Sequence, residues 1–335
     1  MKIYIAVDTG KSNTKFSWFN ENKPGKKNIK ADSFRSVVSE TAIDGMSTTN
    51  NLVIYRGIAY DVGGVDERAL EGNNSKLTDE HKLCIYTAIA KILNRLNTGD
   101  EVHEVHQIDL SINVPLLDFR SLKDEYTKAY QGKDVDLELD NKKISFTINT
   151  IRLSYEGSGV VIRNIDDEAS QIHIIDIGGK NDTHISFEKF KLENQEGIPT
   201  DVEGFKPIKG QNGMTNNGVL TLLQQIASDL SDSYDVTIND IEKIIEGRLP
   251  KPAKFDEIFK QRAKQHVVSI KNQVQKYRLN PSFTTIIFSG GGSLLLKEQL
   301  KAAFSEYSIR ISPDAQFDNA KGMLEKVLND EAITS

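Results

Sequence analysis

Asp8, Gly10 and Lys15 stand together near the start of the sequence, in the run VDTGKSNTKF (residues 7–16). A glycine shortly after an acid lets backbone N–H groups approach an anion with no Cβ in the way. Lys15, or Lys11, supplies the positive charge that balances a polyphosphate. An aspartate beside phosphate needs an intervening cation, which implies Mg2+ and its waters. The Gly10-Lys11-Ser12 triplet imitates the end of a P-loop. That motif, G-x-x-x-x-G-K-[ST], would need a glycine at position 5, where the chain has Ile5. It would also need a helix to follow, where Phe16-Ser17-Trp18-Phe19 reads as strand, so the P-loop is excluded.

A second turn of the same kind, Asp176-Ile177-Gly178-Gly179, lies half a chain further on. Residues 3–18 can be laid over 172–187 with two gaps. Asp8 then falls on Asp176, Gly10 on Gly178, Lys11 on Lys180, Thr14 on Thr183 and Ser17 on Ser186. One such turn is an ordinary hairpin with glycine at positive φ. Two of them at a period of about half the chain suggest a duplicated strand-turn-strand, the halves clamping one polyphosphate. Gly290-Gly291-Gly292 closes a later strand and precedes Ser293. It misses the dinucleotide fingerprint, because the third glycine position is Leu295, but it would let a flat ligand lie on backbone.

Positioning these turns requires strands interleaved with helices. Ile3 to Val7, Phe16 to Phe19, Leu52 to Tyr60, Ile108 to Val114, Ile172 to Ile177, His184 to Phe187 and Thr284 to Phe288 read as strands. Asp134 to Leu153 reads as a strand pair around Asp140-Asn141. Thr78 is an N-cap with Asp79 and Glu80 in the first turn, and a helix runs from there to about Leu96. Further helices are expected over Leu122 to Tyr130, from Val219 to Leu230, from Ile238 to Ile245, and from Phe255 to Tyr277. The order describes an α/β architecture.

With 335 residues, 38% hydrophobic and 27% charged, the chain has enough material for two ordinary domains. A net charge of -6 excludes general attraction to nucleic acid or anionic membrane. The one short basic stretch, Lys23 to Lys30, reads as a solvated turn around Pro24-Gly25. The single cysteine, Cys84, allows no internal disulfide and suits a reducing cytoplasm. No apolar run approaches the roughly 18 residues a membrane span needs, and no signal peptide is evident. A soluble, cytoplasmic protein is expected.

Together the N-terminal Asp-x-Gly hairpin, the central Asp-x-Gly-Gly hairpin and the strand ending in Gly-Gly-Gly resemble the nucleotide-binding fold of actin, heat-shock chaperones and sugar kinases. Within that superfamily the chain looks most like the ParM-type actins that segregate plasmids. Asn113-Val114-Pro115-Leu116 resembles the family's Leu-Pro-Leu-type turn. Tyr155-Glu156-Gly157-Ser158-Gly159 resembles its Pro-Glu-x-x-Gly-Ala-type link between halves. Gln316 to Gly322 resembles its aromatic-x-Asn-Ala-x-Gly closing helix.

The resemblance implies a duplicated actin-like (ribonuclease H-like) fold whose two domains hold a nucleotide cleft. Residues 1–157, completed by a C-terminal helix over about 318–335, would form the first and 158–317 the second. It implies an ATP- or GTP-hydrolysing, Mg2+-dependent enzyme. Asp8 and Asp176 would hold the metal; Gly10, Asn13 and Lys15, with Gly178 and Gly179, would meet the phosphates. Glu156, with Asp176, would orient the attacking water. Gly290, Gly291, Gly292 and Ser293 would line the adenosine, and Glu242 and Lys243 would reach the ribose or base. Lys180 stands where the family has a hydroxyl, so it either adds charge or points outward. The resemblance further implies head-to-tail filaments and a ParR-like DNA-binding adaptor on a plasmid centromere, with no direct nucleic-acid or membrane binding. A sugar- or acetate-type kinase and a cell-shape actin homologue are the alternative readings.

Overall fold

The computed structural model describes residues 2–20, 29–42, 51–64, 76–96, 106–115, 119, 121–164, 169–193, 199–231 and 234–334. Most of the basic stretch at Lys23 to Lys30, and Leu116 of the Leu-Pro-Leu-type turn, lie outside these residues. The chain divides into two compact units, one made of Met1–Arg163 with Phe317–Ser335, the other of Asn164–Gln316.

In chain order the first unit contains β1 (Lys2–Thr9), β2 (Asn13–Asn20), β3 (Lys30–Arg35), β4 (Val38–Glu40), β5 (Leu52–Tyr55) and β6 (Ile58–Val62). Then come α1 (Asp79–Leu96), β7 (His106–Val114), α2 (Lys123–Tyr130), β8 (Lys133–Leu139), β9 (Lys142–Tyr155) and α3 (Ser158–Arg163). The second unit has β10 (Gln171–Ile177), β11 (Asp182–Glu193), β12 (Pro199–Thr215), α4 (Val219–Leu230), α5 (Ile238–Ile245) and α6 (Phe255–Val274). It continues with β13 (Thr284–Ser289), α7 (Gly291–Leu295), α8 (Lys297–Ala303) and β14 (Ser308–Ile311), and α9 (Asp318–Thr334) returns to the first unit.

The first unit is built on a nine-stranded sheet, β3-β2-β1-β7-β9-β8-β5-β6-β4, and the second on a five-stranded sheet, β12-β11-β10-β13-β14. Each sheet repeats one pattern. The leading strand (β1 or β10) pairs antiparallel with its successor and parallel with a strand that arrives after a crossover (β7 or β13). The duplication is therefore real, but its register differs from the gapped overlay. Asp8 lies opposite Lys15 and Asp176 opposite Thr183; Thr9 lies opposite Thr14 and Ile177 opposite Asp182. Lys15 thus corresponds to Thr183 and Asn13 to Asn181, with no gaps. The gaps came from matching residue types, Lys with Lys and Thr with Thr, where the backbone matches hydrogen-bonded pairs instead.

β1 is apolar on both faces because both are covered. Ile3, Ile5 and Val7 join the core beneath α1, while Tyr4 and Ala6 pack with Met323, Leu324 and Val327 of α9. The Ser17 hydroxyl donates to the Ala320 carbonyl at 2.8 Å and fixes α9 on that face. Arg163 at the end of α3 reaches the fully buried Asp318 carboxylate at 3.1 Å, pinning the first turn of α9.

Two expectations change. Leu52 to Tyr60 is a hairpin rather than one strand, since Arg56 and Gly57 both adopt positive φ between β5 and β6. The long β12 carries no strand signature in sequence, because Pro199, Gly204, Pro207, Gly210 and Gly213 interrupt its pattern. It pairs only with β11, at the edge of its sheet, where missing donors are tolerated. Asp140 and Asn141 form the expected turn between β8 and β9, again at positive φ.

Candidate functional site

Both Asp-x-Gly turns close in the same way. Gly10 N–H donates to the Asn13 carbonyl at 3.1 Å, and Gly178 N–H donates to the Asn181 carbonyl at 2.9 Å. A Cβ on either glycine would lie 3.0 Å from that carbonyl oxygen. The shared element is Asp-x-Gly-x-x-Asn, and it assigns each asparagine the role of closing its turn through its carbonyl. The N–H groups of these two glycines face inward, so donors to an anion would come from Lys11-Ser12 and Gly179-Lys180.

In the first unit, three parallel neighbours, β1, β7 and β9, end side by side. Their carboxyl ends are where open α/β sheets place ligand-binding groups. Asp8 leaves β1, Asn113 lies near the end of β7, and Glu156 follows β9. Asn113 donates its amide to Asp8 Oδ1 at 2.8 Å. Lys76 then joins all three residues. Its Nζ donates to Asn113 Oδ1 at 2.5 Å and lies 3.8 Å from both Asp8 Oδ1 and Glu156 Oε1.

Lys76 is only 3% exposed, an unusual position for a lysine unless it is paired. Its backbone is held as firmly as its side chain. The Tyr126 hydroxyl accepts from Lys76 N–H at 3.0 Å, and the Tyr130 hydroxyl donates to the Lys76 carbonyl at 2.6 Å. Sequence reasoning missed this residue. Two positions before the N-cap Thr78, in a polar stretch, nothing distinguishes it from a solvated lysine. Only the fold carries it to Asp8, Asn113 and Glu156.

In the second unit the turn is tied to the start of α4. Val219 N–H donates to the Gly178 carbonyl at 3.0 Å and Leu220 N–H to the Gly179 carbonyl at 2.7 Å, so two orphan donors of that helix are satisfied by the turn. Lys180 gives its carbonyl to Gly218 N–H at 3.4 Å. The three late glycines have three different tasks. Gly290 has φ +81°, and a Cβ there would lie 2.4 Å from both Asp176 Oδ1 and the Ile177 carbonyl oxygen. Gly292 admits the Ile177 and Val219 side chains, whereas Gly291 has open space. Ser293 is fully buried and donates its hydroxyl to the Gly290 carbonyl at 2.7 Å, which holds the turn. Glu242 and Lys243 lie half-buried on α5, and Lys243 pairs with Asp240 of its own helix at 3.8 Å.

Gly290→Ala should therefore be costly. It forces a left-handed φ on alanine and drives a methyl into the Asp176 carboxylate. A loss of about 3 kcal/mol is expected, read as a lower urea midpoint at unchanged slope. The same substitution at Gly291 should stay within about 1 kcal/mol.

Cys84 lies within the core under β1, where burial pushes its thiol up to about 12 and leaves it inert. Among the described residues no cluster of three or more His, Cys, Asp or Glu is placed to enclose a metal. Mg2+ does not ask for such a cage: it takes one or two carboxylates and completes its shell with water and phosphate. Asp8 in the first unit and Asp176 in the second, each the first residue of an Asp-x-Gly-x-x-Asn turn, each offer a carboxylate of that kind.

Residues 6–159 match the family model described as the N-terminal domain of actin-like proteins. Solved structures extend the likeness over nearly the whole chain. Bacillus thuringiensis ParM with ATP is 16% identical at TM-score 0.70, covering 99% of each chain. The fold is actin-like. An archaeal actin homologue in complex with ADP is 15% identical at TM-score 0.69, covering 98% of this actin-like chain and 99% of its own. A 15-stranded ParM filament from Clostridium botulinum is 18% identical at TM-score 0.68, with 97% and 98% covered. A search of curated proteins found no match. No described helix of the actin-like chain is long and apolar enough to cross a membrane.

Proposed function

We propose that this chain is a ParM-type, nucleotide-dependent filament former that hydrolyses ATP and serves plasmid segregation. The observation that carries the reading is the pair of Asp-x-Gly-x-x-Asn turns, closed by the same hydrogen bond at equivalent places in two sheets. Similarity to the ATP-bound ParM, the ADP-bound archaeal homologue and the ParM filament supports it.

In this reading Asp8 and Asp176 would hold Mg2+, which would supply charge neutralisation at the phosphates. The chain's own residues do the rest. Lys15, opposite Asp8 in the hairpin, adds positive charge on the phosphate side. Lys76 offsets the carboxylates of Asp8 and Glu156, so that an anion meets one net negative charge there rather than two. Glu156 accepts a hydrogen bond from the attacking water and orients it. Phosphoryl transfer asks mainly for positioning and charge neutralisation, which this set supplies. Cargo would attach through a ParR-like DNA-binding adaptor, since the acidic sequence carries no DNA-binding motif.

Sedimentation and light scattering with Mg2+ and ATP, GTP or no nucleotide test the reading. Pelleting that requires nucleotide is the expected result. A monomer that turns over ATP at high concentration would sink the filament and favour a kinase of the same fold. Within the site, Glu156→Ala should slow phosphate release by about a hundredfold while leaving nucleotide binding intact. Unchanged turnover would remove Glu156 from its role.

A further inference from the structure

Behind the second turn, on the helix-facing side of the five-stranded sheet, lies a polar chain inside an apolar core. Ile175 and Ile177 pack there against α4 and α6, and their cross-strand partners are His184 and Asp182. His173 and Ser186 form the next pair on the same face. Asp182, His184, His173 and Ser186 are all fully buried. Asp176 and Thr183 point to the opposite face, one residue out of phase.

The four side chains form a continuous line. Ser186 Oγ is 2.8 Å from His173 Nδ1, His173 Nε2 is 3.4 Å from His184 Nδ1, and His184 Nε2 is 3.4 Å from Asp182 Oδ2. Thr215 donates its hydroxyl to the other Asp182 oxygen. Asp182 Oδ2 and His184 Nε2 have no hydrogen-bonding partner apart from this long mutual contact. Tyr277 lies over both rings, its centroid 4.8 Å from His173 and 5.6 Å from His184. Its hydroxyl occupies the space above Gly213, where a Cβ would lie 2.6 Å away.

With both imidazoles neutral, one direction of donation satisfies the line: Ser186 O–H to His173 Nδ1, His173 Nε2–H to His184 Nδ1, and His184 Nε2–H to the ionised Asp182. One added proton reverses part of it. His184 then donates from both nitrogens, to Asp182 and to His173 Nε2, and His173 donates Nδ1–H to Ser186 Oγ. The line thus stores exactly one proton's charge without losing a contact, and its net charge passes from -1 to zero.

Asp182 directly follows Asn181, whose carbonyl closes the turn at Gly178. A buried carboxylate so close to an anion site is poorly screened and opposes the anion. We propose that the Ser186–His173–His184–Asp182 line takes up a proton from solvent when a nucleotide polyphosphate binds the Gly178–Asn181 turn, so that nucleotide affinity falls as pH rises. The proposal rests on the nucleotide reading above.

The other titratable groups facing the pair among the described residues are His266 of α6 and Tyr277 just beyond its end. Burial, and then Asp182, raise the Tyr277 hydroxyl. Burial holds His266 below the ordinary histidine range. Burial, followed by the neighbouring His184, lowers His173 to about 3.

Calorimetry of Mg·ADP binding from pH 6 to 8, in buffers of different ionisation enthalpy, counts the protons taken up. Wild type should take up a fraction of one proton; half a proton corresponds to affinity falling roughly threefold per pH unit. His184→Gln, which keeps a hydrogen-bonding side chain, should abolish the uptake. Histidine 15N NMR of wild type at constant pH should show His184 moving toward imidazolium as Mg·ADP is added, whether or not the variant folds. Binding with no uptake, or equal uptake in folded His184→Gln, would overturn the relay and leave the nucleotide reading standing. Absence of any nucleotide binding would overturn both.

Discussion

Lys76→Met should lower nucleotide hydrolysis by about a hundredfold while nucleotide still binds. The variant keeps the length and apolar stem of lysine and removes only the charge. Asp8 then keeps Asn113 as its neutral partner but loses the cation 3.8 Å away, and Glu156 loses its cation at the same distance. Two carboxylates facing a triphosphate without that charge repel it most in the transition state, where negative charge builds on the leaving oxygen. Because Lys76 is buried and Asp8 nearly so, breaking the pair should also cost about 3 kcal/mol of stability. A structural role and a catalytic role separate cleanly. Phosphate release per folded molecule, with unfolding measured in parallel, should fall far more than stability alone explains. Hydrolysis within about threefold of wild type in the folded fraction would make Lys76 a structural residue.

Gly322→Ala should be the most damaging single methyl in the first unit. A Cβ there would lie 2.0 Å from the Gly159 carbonyl oxygen, and one on Gly159 would lie 2.3 Å from the Asn319 carbonyl oxygen. α3 and α9 therefore meet backbone to backbone, and no side-chain rotation relieves the clash. The two helices would have to separate, pulling Met323, Leu324 and Val327 from the face of β1 and loosening the Arg163–Asp318 pair. Gly157 N–H, which donates to Asn319 Oδ1 at 3.2 Å, sits beside Glu156, so the disturbance reaches the site. A loss of more than about 4 kcal/mol is expected, seen as a fall of about 10 °C in the melting midpoint. Gly132→Ala is the control. That glycine, unlike Gly322, has positive φ, and nothing lies within 4 Å of its Cβ position, so only about 1 kcal/mol of backbone strain should appear. Equal losses in the two variants would show that the contact between α3 and α9 yields to a methyl at little cost.

Much of this chain was legible before any coordinate. Strands covered on both faces betray themselves as unbroken apolar runs, which is why β1, β7, β10 and β13 were found. Helices with one dry face, such as α4 and α5, follow from spacing alone. The aspartates and glycines of the two turns are visible too, because Asp-x-Gly directly follows an apolar strand in both halves of the chain. Other features were invisible for stated reasons. β12 carries prolines and glycines that read as loop and are tolerated only because it is an edge strand. Matching residue types shifts the repeat by one position, because its register is set by cross-strand pairs such as Asp8 with Lys15 and Asp176 with Thr183. Gly159 and Gly322 looked like family punctuation until the closeness of α3 and α9 gave them a reason. Lys76 and the His173–His184–Asp182 line had no local signature at all. A lysine or histidine in sequence is a solvated side chain by default, and only neighbours brought from distant strands make it a buried charge. Local residue preference and periodicity thus determined the elements and the turns. Tertiary packing alone decided which charges are dry, which partners they meet and so which of them can do chemistry.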